Sequence, residues 1–284
     1  MSEARTIGAL WRHWRDVFGA QGFDSPVLDA KLLCGQALGL STLEMAVREN
    51  DPVNSDALAR VELLMQRRLS GESVARIIGA REFYGLSFAL GRATLEPRPE
   101  TEMLVDRLIA QLPVGGRLLD LGTGTGCIPI AVLVNRDDAH GVAVDLSAEA
   151  LHVAAQNAEA HGVAQRLELV EGSWFAPLSP AQKFRLIVSN PPYIVSAVVE
   201  TLAIEVRDFD PRLALDGGPD GLAPYRVIAA EAGHWLEPGG MVVLEIGYDQ
   251  GAAVTQLMEE AGFDDVRVEQ DLNGLDRMVV AHHL

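Results

Sequence analysis

The chain has 284 residues, of which 48% are hydrophobic, and this content supports the packed cores of one large and one smaller domain rather than a disordered protein. Its formal net charge is −17, so its long-range field repels phosphate backbones and disfavours, without excluding, nucleic acid as a direct partner. The sequence has only two cysteines, no apolar leader and no apolar run of about eighteen residues. These features favour a protein of the reducing cytoplasm that does not bind a membrane.

The first part of the chain carries apolar residues spaced three and four positions apart, with Gly, Ser and Pro between the segments. This spacing is typical of amphipathic helices, and it predicts a small helical domain over residues 1–75. Trp11 and Trp14 are expected to pack in its core. The other apolar residues with this spacing are Leu10, Val17, Phe18, Val27, Leu28, Leu32, Leu33, Leu58, Val61 and Leu64.

Residues 76–98 contain the stretch "EFYGLSFALG", whose composition predicts a β-hairpin between two domains. Beyond it, residues 99–284 alternate short apolar runs with helical segments, one over Glu100–Leu112 and another near Tyr225–Trp235. This alternation predicts an α/β domain with a mainly parallel sheet and helices on both faces.

A glycine-rich loop stands where the first strand of this domain passes into a helix. Glycine permits a tight turn and lets a ligand approach the backbone, while the helix N-terminus offers free N–H groups. The loop lacks the Lys and Ser or Thr of a P-loop, and Cys127 stands where a dinucleotide fingerprint has its third glycine. The loop is a G-x-G-x-G turn, which resembles the one in the methyltransferase sheet. The loop residues are Gly122, Thr123, Gly124, Thr125 and Gly126.

Asp145 ends the next predicted strand. A carboxylate at the end of the strand that follows a glycine-rich loop can accept hydrogen bonds from both ribose hydroxyls of a nucleoside. The loop and the acid together predict a nucleoside cofactor. In the alternative interpretation, the glycines serve only the turn, and Asp145 only caps the helix that begins at Ser147 or Ala148.

The stretch "SNPPYI" places Asn190, Pro191, Pro192 and Tyr193 after the fourth predicted parallel strand, at the edge where open α/β sheets bind ligands. The Asn190 side-chain oxygen and the Pro191 carbonyl can accept two hydrogen bonds from a planar –NH2 group. They would orient this poor nucleophile and favour the transition state in which it attacks a methyl group. Tyr193 would offer a face to the planar group, and the prolines remove backbone donors. The other interpretation is a Pro-Pro turn that closes a strand.

This stretch resembles the amino-group methyltransferases that use S-adenosylmethionine, and "LEPRPETE" is similar to a segment of the release factor glutamine methyltransferases, the HemK/PrmC family. "EFYGLSF", "DLGTGTG", "AVDLS", "SWF", "EVRDFDPRLALDGGPDGLAPYRVI" and "LEIGYDQG" also occur in that family's order, so the similarity covers nearly the whole chain. It implies a Rossmann-like class I methyltransferase sheet with helices on both faces, plus a small N-terminal helical domain joined by a β-hairpin. It also implies methyl transfer from S-adenosyl-L-methionine to the glutamine of the Gly-Gly-Gln loop of peptide-chain release factors, which gives N5-methylglutamine.

The resemblance further implies which residues form the site. Asn190, Pro191 and Tyr193 are expected to be catalytic, and Pro192 joins them in binding the glutamine. Cofactor contacts are implied at Gly122, Thr123, Gly124, Thr125, Gly126, Asp145, Trp174 and Asn190. We expect no metal site, and we expect His282 and His283 to lie in an exposed tail.

The expected enzyme is a cytoplasmic monomer with three parts. Residues 1–75 would recognise the release factor, residues 76–98 would form the linking hairpin, and residues 99–284 would carry out methyl transfer. None of the cofactor or amide motifs lies within the first part, so a recognition role is the interpretation we favour for it.

The chain departs from the family pattern at three places. Glu96 stands where the family commonly has Ile, and we expect it in a surface linker. Ser173 replaces Asp, which leaves Trp174 and backbone groups for the adenine end of the cofactor. The segment Asp208–Pro211, "DFDP", replaces the usual Glu-Pro and is given no catalytic role.

Three other functions are considered. A ribosomal-protein glutamine methyltransferase would share the fold and chemistry, but "RPETE" favours the release-factor branch. A DNA adenine N6-methyltransferase could use the same Asn-Pro-Pro-Tyr motif but would need a basic surface for the strand, which no Lys/Arg cluster provides. A binding module without activity would keep the nucleoside pocket but would not need Asn190.

Overall fold

The computed structural model describes residues 6–283, and the chain divides into two compact units, residues 1–79 and residues 80–284. The first is the helical unit and the second the sheet unit. Within the described residues, no helix is long and apolar enough to cross a membrane.

The helical unit is built from short helices with polar caps. Side chains of Thr6, Ser41, Asn54 and Ser73 accept hydrogen bonds from the first turns of four helices, which satisfies backbone donors that a helix start leaves free. The helices are α1 Ile7–Ala20, α2 Pro26–Leu38, α3 Thr42–Val47, α4 Ser55–Leu69 and α5 Val74–Ile78.

The helical spacing identifies part of this core but not all of it. Trp14 is 5% exposed and packs as expected. Trp11 is only partly buried and lies under the cationic groups of Arg12 and Lys31. Three residues with the helical spacing, Val27, Leu28 and Leu32, are exposed, because the buried face of α2 is formed by residues such as Ala30, Leu33 and Cys34.

The predicted hairpin is present. Strand β1, Ala80–Phe83, pairs antiparallel with β2, Leu86–Ala89. Tyr84 and Gly85 both have positive φ angles, of 53° and 71°, as a two-residue turn that matches the twist of its strands requires.

The sheet unit contains a seven-stranded sheet with the order β5-β4-β3-β6-β7-β9-β8. The first five strands are parallel, and β9 and β8 are antiparallel to their neighbours. The prediction of a mainly parallel sheet is therefore confirmed. Its strands are β3 Arg117–Leu121, β4 His140–Asp145, β5 Leu167–Glu171, β6 Phe184–Ser189, β7 Leu236–Glu245, β8 Asp264–Gln270 and β9 Asp276–His282.

Apolar cores lie on both faces of this sheet. One contains side chains of the hairpin and of α6, α7 and α8, and the other contains side chains of α11 and α12. The expected Glu100–Leu112 helix is α6, preceded by a 3-10 turn at Pro99–Thr101. The helices are α6 Glu102–Gln111, α7 Cys127–Asn135, α8 Ala148–Ala160, α9 Ser196–Val199, α10 Ile204–Arg207, α11 Ala223–Trp235 and α12 Gly251–Glu260.

Two local expectations are wrong. Glu96 is 6% exposed and lies 3.4 Å from Arg81 in an ion pair, so it is a buried residue rather than part of a surface linker. His282 is the last residue of β9, which lies between β7 and β8. It therefore belongs to the sheet and not to an exposed tail.

Candidate active site

The carboxyl ends of three neighbouring strands bring the polar motifs together. Leu121 of β3 is in register with Val144 of β4 on one side and with Ser189 of β6 on the other. The strand order reverses at β3, because β4 and β5 lie on one side and β6 and β7 on the other. Such a switch point leaves a crevice beyond the strand ends, and the glycine loop, Asp145 and Asn190 lie there.

The glycine loop turns through conformations that favour glycine. Gly122, Gly124 and Gly126 have φ angles of 74°, 56° and 78°, which residues with a Cβ rarely adopt. A Cβ on Gly126 would also lie 2.9 Å from a methyl carbon of Ile130. The N–H groups of Gly122 and Thr123 donate to the Val144 carbonyl over 2.8 and 3.1 Å, so the loop is anchored to the neighbouring strand.

Asp145 both organises this loop and lines a cavity. Its Oδ2 accepts a hydrogen bond from the Gly124 N–H over 2.8 Å, and its Oδ1 accepts one from the Ser147 N–H over 2.9 Å. Each carboxylate oxygen can accept more than one hydrogen bond. Asp145 is not itself the N-cap of α8, which is Ser147, and its carboxylate keeps acceptor capacity for a ligand.

A second carboxyl group lies unpartnered behind the loop. Asp120 is 1% exposed, and among the described residues neither of its carboxyl oxygens nor the Thr123 hydroxyl has a hydrogen-bond partner. Burial raises the pKa of Asp120 to about 7, the nearby Thr123 hydroxyl opposes the increase, and the Asp145 charge adds to it. Buried polar atoms without partners are rare in proteins and mark places where a ligand or water belongs.

Asn190 is held through the nitrogen of its amide. Its Nδ2 donates to the Thr101 hydroxyl over 3.3 Å, and that hydroxyl donates to Oε2 of Glu245 over 2.6 Å. In the described residues the Asn190 oxygen accepts no side-chain or backbone hydrogen bond. The preceding residue, Ser189, is fixed by a 2.6 Å bond from its hydroxyl to the Leu121 carbonyl. The arrangement presents an amide oxygen at the strand end.

The backbone after Asn190 accepts a hydrogen bond from Gln250 and packs closely against Gly217 and Gly221. Gln250 donates from Nε2 to the carbonyls of Tyr193 and Gly221 over 3.0 and 3.1 Å. A Cβ on Gly217 would lie 2.7 Å from the Pro192 carbonyl oxygen, and one on Gly221 would lie 2.5 Å from that of Tyr193. Only glycine allows such close approach. Burial raises the pKa of Tyr193 to about 12, so its hydroxyl stays protonated and does not supply a base.

Several of these groups line one cavity of about 430 Å³, a size in the usual range for small-molecule sites. Most of the predicted site residues line it, whereas Gly126, Pro191 and Tyr193 do not. Trp174 has a φ of 49°, a strained value for a bulky residue. The predicted residues in the lining are Gly122, Thr123, Gly124, Thr125, Asp145, Trp174, Asn190 and Pro192.

Sequence reasoning assigned no role to Asp120, Thr101 or Glu245. Asp120 and Glu245 are carboxylates inside apolar strand stretches, "LLDL" and "VVLEIG". Because a buried carboxylate is costly unless it serves a purpose, that contrast could have identified both. Thr101 carries no comparable signal. Asp210, in the segment Asp208–Pro211, is buried and pairs with Arg98 over 2.8 Å.

Comparison with known proteins agrees with this geometry. Residues 98–206 match the family described as Methyltransferase small domain, and residues 9–79 match the one described as PrmC N-terminal domain. A solved methyltransferase from Pyrococcus furiosus aligns with a TM-score of 0.54 and 18% identity over 76% of this chain and 96% of its own. That likeness concerns the fold alone.

Two relatives are similar over nearly their full length. A release factor glutamine methyltransferase of Agrobacterium fabrum is 45% identical over 266 residues, which cover 92% of this chain and 91% of that protein. One of Cereibacter sphaeroides is 46% identical over 262 residues, which cover 92% and 93%. With its glycine loop, its acid and its Asn-Pro-Pro-Tyr segment at one sheet edge, the chain belongs to the release factor glutamine methyltransferase family.

Proposed function

We propose that this chain transfers a methyl group from S-adenosylmethionine to the side-chain amide nitrogen of the glutamine in the Gly-Gly-Gln loop of peptide-chain release factors. The observation that carries the proposal is the single cavity lined by both Asp145 and Asn190. One residue suits the ribose of a nucleoside and the other suits an amide, so the cavity has partners for both reactants.

The residues around the glycine loop fit the chemistry of S-adenosylmethionine. The loop leaves Thr123 without a partner for its hydroxyl and Asp120 without partners for its carboxyl, and a ligand ammonium group would satisfy such acceptors. Asp145 has free capacity for ribose hydroxyls, and Trp174 offers an aromatic face. When bound, S-adenosylmethionine would supply a methyl group on a positively charged sulfur, and the electrons of the broken carbon–sulfur bond would stay on that sulfur.

Asn190 and Pro191 would hold the glutamine amide by its two N–H bonds. An amide nitrogen is a poor nucleophile because its lone pair is delocalised, and it gains positive charge as the new N–C bond forms. Acceptors fixed against its N–H bonds stabilise that charge more than they stabilise the neutral ground state, which lowers the barrier. The proton then leaves the methylated nitrogen to solvent, so no residue has to act as a strong base.

The position of the charge supports a protein substrate. Nearly all of the net negative charge belongs to residues 80–284, the unit with the cavity. This field repels a phosphate backbone and attracts the cationic methyl donor. A DNA adenine substrate is therefore disfavoured. The cytoplasmic location and the monomeric state stay predictions, and so does recognition of the release factor by residues 1–75.

The proposal is tested by incubating the chain with S-adenosylmethionine labelled in the methyl group and with a whole release factor, followed by peptide mapping. The label should appear on the Gly-Gly-Gln glutamine and be absent from a factor in which that glutamine is replaced by asparagine. Ribosomal proteins and single-stranded DNA serve as competing substrates. Equal labelling of either would contradict the assignment.

A further inference from the structure

A buried polar chain runs from Asn190 to Glu245 through Thr101. Thr101 and Glu245 are each 2% exposed. The two hydrogen bonds, 3.3 Å from the Asn190 amide nitrogen and 2.6 Å onward to the Glu245 carboxylate, join a residue of the cavity to the end of β7.

The direction of this chain determines how the Asn190 amide lies. A carboxylate only accepts hydrogen bonds, so the single hydroxyl proton of Thr101 goes to Glu245. The hydroxyl oxygen then presents lone pairs to Asn190, which can be met only by the –NH2 end of the amide. A flipped amide would set its oxygen against those lone pairs and lose a buried hydrogen bond.

We propose that Thr101 and Glu245 are positioning residues that fix the orientation of the Asn190 amide, so that its oxygen and not its nitrogen meets the N–H of the substrate amide. This inference rests on the proposed function, because it assumes that the substrate presents N–H donors. Neither residue needs to touch the reacting atoms.

The surroundings of Glu245 make the orientation of the Asn190 amide sensitive to pH. Burial is the main cause that raises the pKa of Glu245 to about 7, while the Thr101 hydrogen bond and Arg277 oppose the increase and Glu100 adds to it. Protonated Glu245 can donate to Thr101, whose own proton is then free to meet the Asn190 oxygen. The preference for one amide orientation is lost in that form. The titratable groups that act on or feel Glu245 are Arg277, Glu100, Tyr193, Tyr225 and Cys127.

The first test compares Thr101→Val with Thr101→Ser in the full chain, with a whole release factor as substrate. Valine keeps the shape of threonine but has no hydroxyl, whereas serine keeps the hydroxyl. We expect Thr101→Val to lower kcat about tenfold or more, as the loss of one ordering hydrogen bond would, and Thr101→Ser to stay within about threefold of the wild type. The affinity for S-adenosylmethionine should change little in both variants. Equal kcat values for the two variants would overturn the inference.

The second test is the pH profile of Glu245→Gln, and it decides the matter if Thr101→Val does not fold. Glutamine can still accept from Thr101 through its carbonyl oxygen but does not titrate. Wild-type kcat should fall as pH decreases through about 7, and Glu245→Gln should lack that decrease. A variant that keeps the same decrease would overturn the inference. A wild type that methylates no glutamine would overturn the proposed function and this inference together, whereas an active wild type with unchanged variants overturns the inference alone.

Discussion

Gly124 donates its backbone N–H to the Asp145 carboxylate over 2.8 Å. The glycine loop that follows β3 and the acid that ends β4 are therefore one structure. Asp145 fixes the loop through this hydrogen bond and keeps acceptor capacity for a ligand. Replacing Asp145 should therefore affect both the shape of the loop and the binding of the nucleoside.

Asp145→Ala should weaken S-adenosylmethionine binding by about tenfold to a hundredfold, because it removes charge-assisted hydrogen bonds worth about 1.5–3 kcal/mol. Isothermal calorimetry measures this affinity. The matched control is Glu149→Ala, which removes the same charge from an exposed position in the first turn of α8. Undiminished binding by Asp145→Ala would refute the ribose assignment.

Gly221→Ala should both destabilise the protein and slow methyl transfer. Gly221 has a φ of 74°, and a Cβ there would lie 2.5 Å from the Tyr193 carbonyl oxygen. Gly162→Ala is the control, because Gly162 has a φ of 70° but open space around a Cβ. Both variants bear the cost of the left-handed backbone, about 1 kcal/mol, and Gly221→Ala should lose a further 1–3 kcal/mol, roughly, from the clash. Urea denaturation gives these differences, and equal stabilities would show that the contact yields without cost.

Asp120→Asn should increase stability at high pH relative to the wild type. The pKa of Asp120 in the folded protein is raised to about 7 from an ordinary 3.8, chiefly by burial. Between these values the folded state holds a proton that the unfolded chain has released, so the contribution of Asp120 to stability falls as pH rises. The full cost, on the order of 4 kcal/mol, is present above pH 7.

The measurement is the free energy of unfolding of both proteins between pH 5 and 8 in the absence of ligand. The difference should shift in favour of Asp120→Asn as pH rises across this range. A difference that does not change with pH would mean that Asp120 titrates alike in the folded and unfolded states.

A truncated chain that begins at Ala80, the first residue of the sheet unit, should separate catalysis from recognition. We expect it to bind S-adenosylmethionine and to methylate a short Gly-Gly-Gln peptide weakly. It should lose most of its kcat/KM on a whole release factor, because one glutamine in a flexible loop offers too little surface for selection. Circular dichroism first establishes that it folds. Full efficiency on the whole factor would exclude a recognition role for the helical unit.

Much of the site could be predicted because parallel strands end at one edge of a sheet. Gly124 and Asn190 follow strands of the predicted sheet and Asp145 ends one, so predicting their proximity required only the strand order. Glu245 also ends a parallel strand, β7, but its interaction with Thr101 could not be predicted in this way. Its partner Thr101 lies 144 residues earlier in the chain, and their contact depends on tertiary packing that no local pattern encodes.

The helical unit shows a similar limit. Spacing predicted helices correctly around Leu33, yet Leu28 is 57% exposed in the same helix. Periodicity describes which residues share a face, but the faces that are buried depend on the neighbouring helices. The positive φ of Trp174 was likewise beyond prediction, because a left-handed backbone at a bulky residue is set by its surroundings.

The central proposal is that the Asn190 oxygen accepts a hydrogen bond from the amide that receives the methyl group. It is tested most directly by single-turnover methyl transfer to a whole release factor, with wild type and Asn190→Ala each saturated with S-adenosylmethionine and each shown to be folded. Loss of one preorganised acceptor of the transition state should lower the rate constant by about 10²–10³. A near-normal rate constant in the folded variant would contradict the account and remove Asn190 from the mechanism.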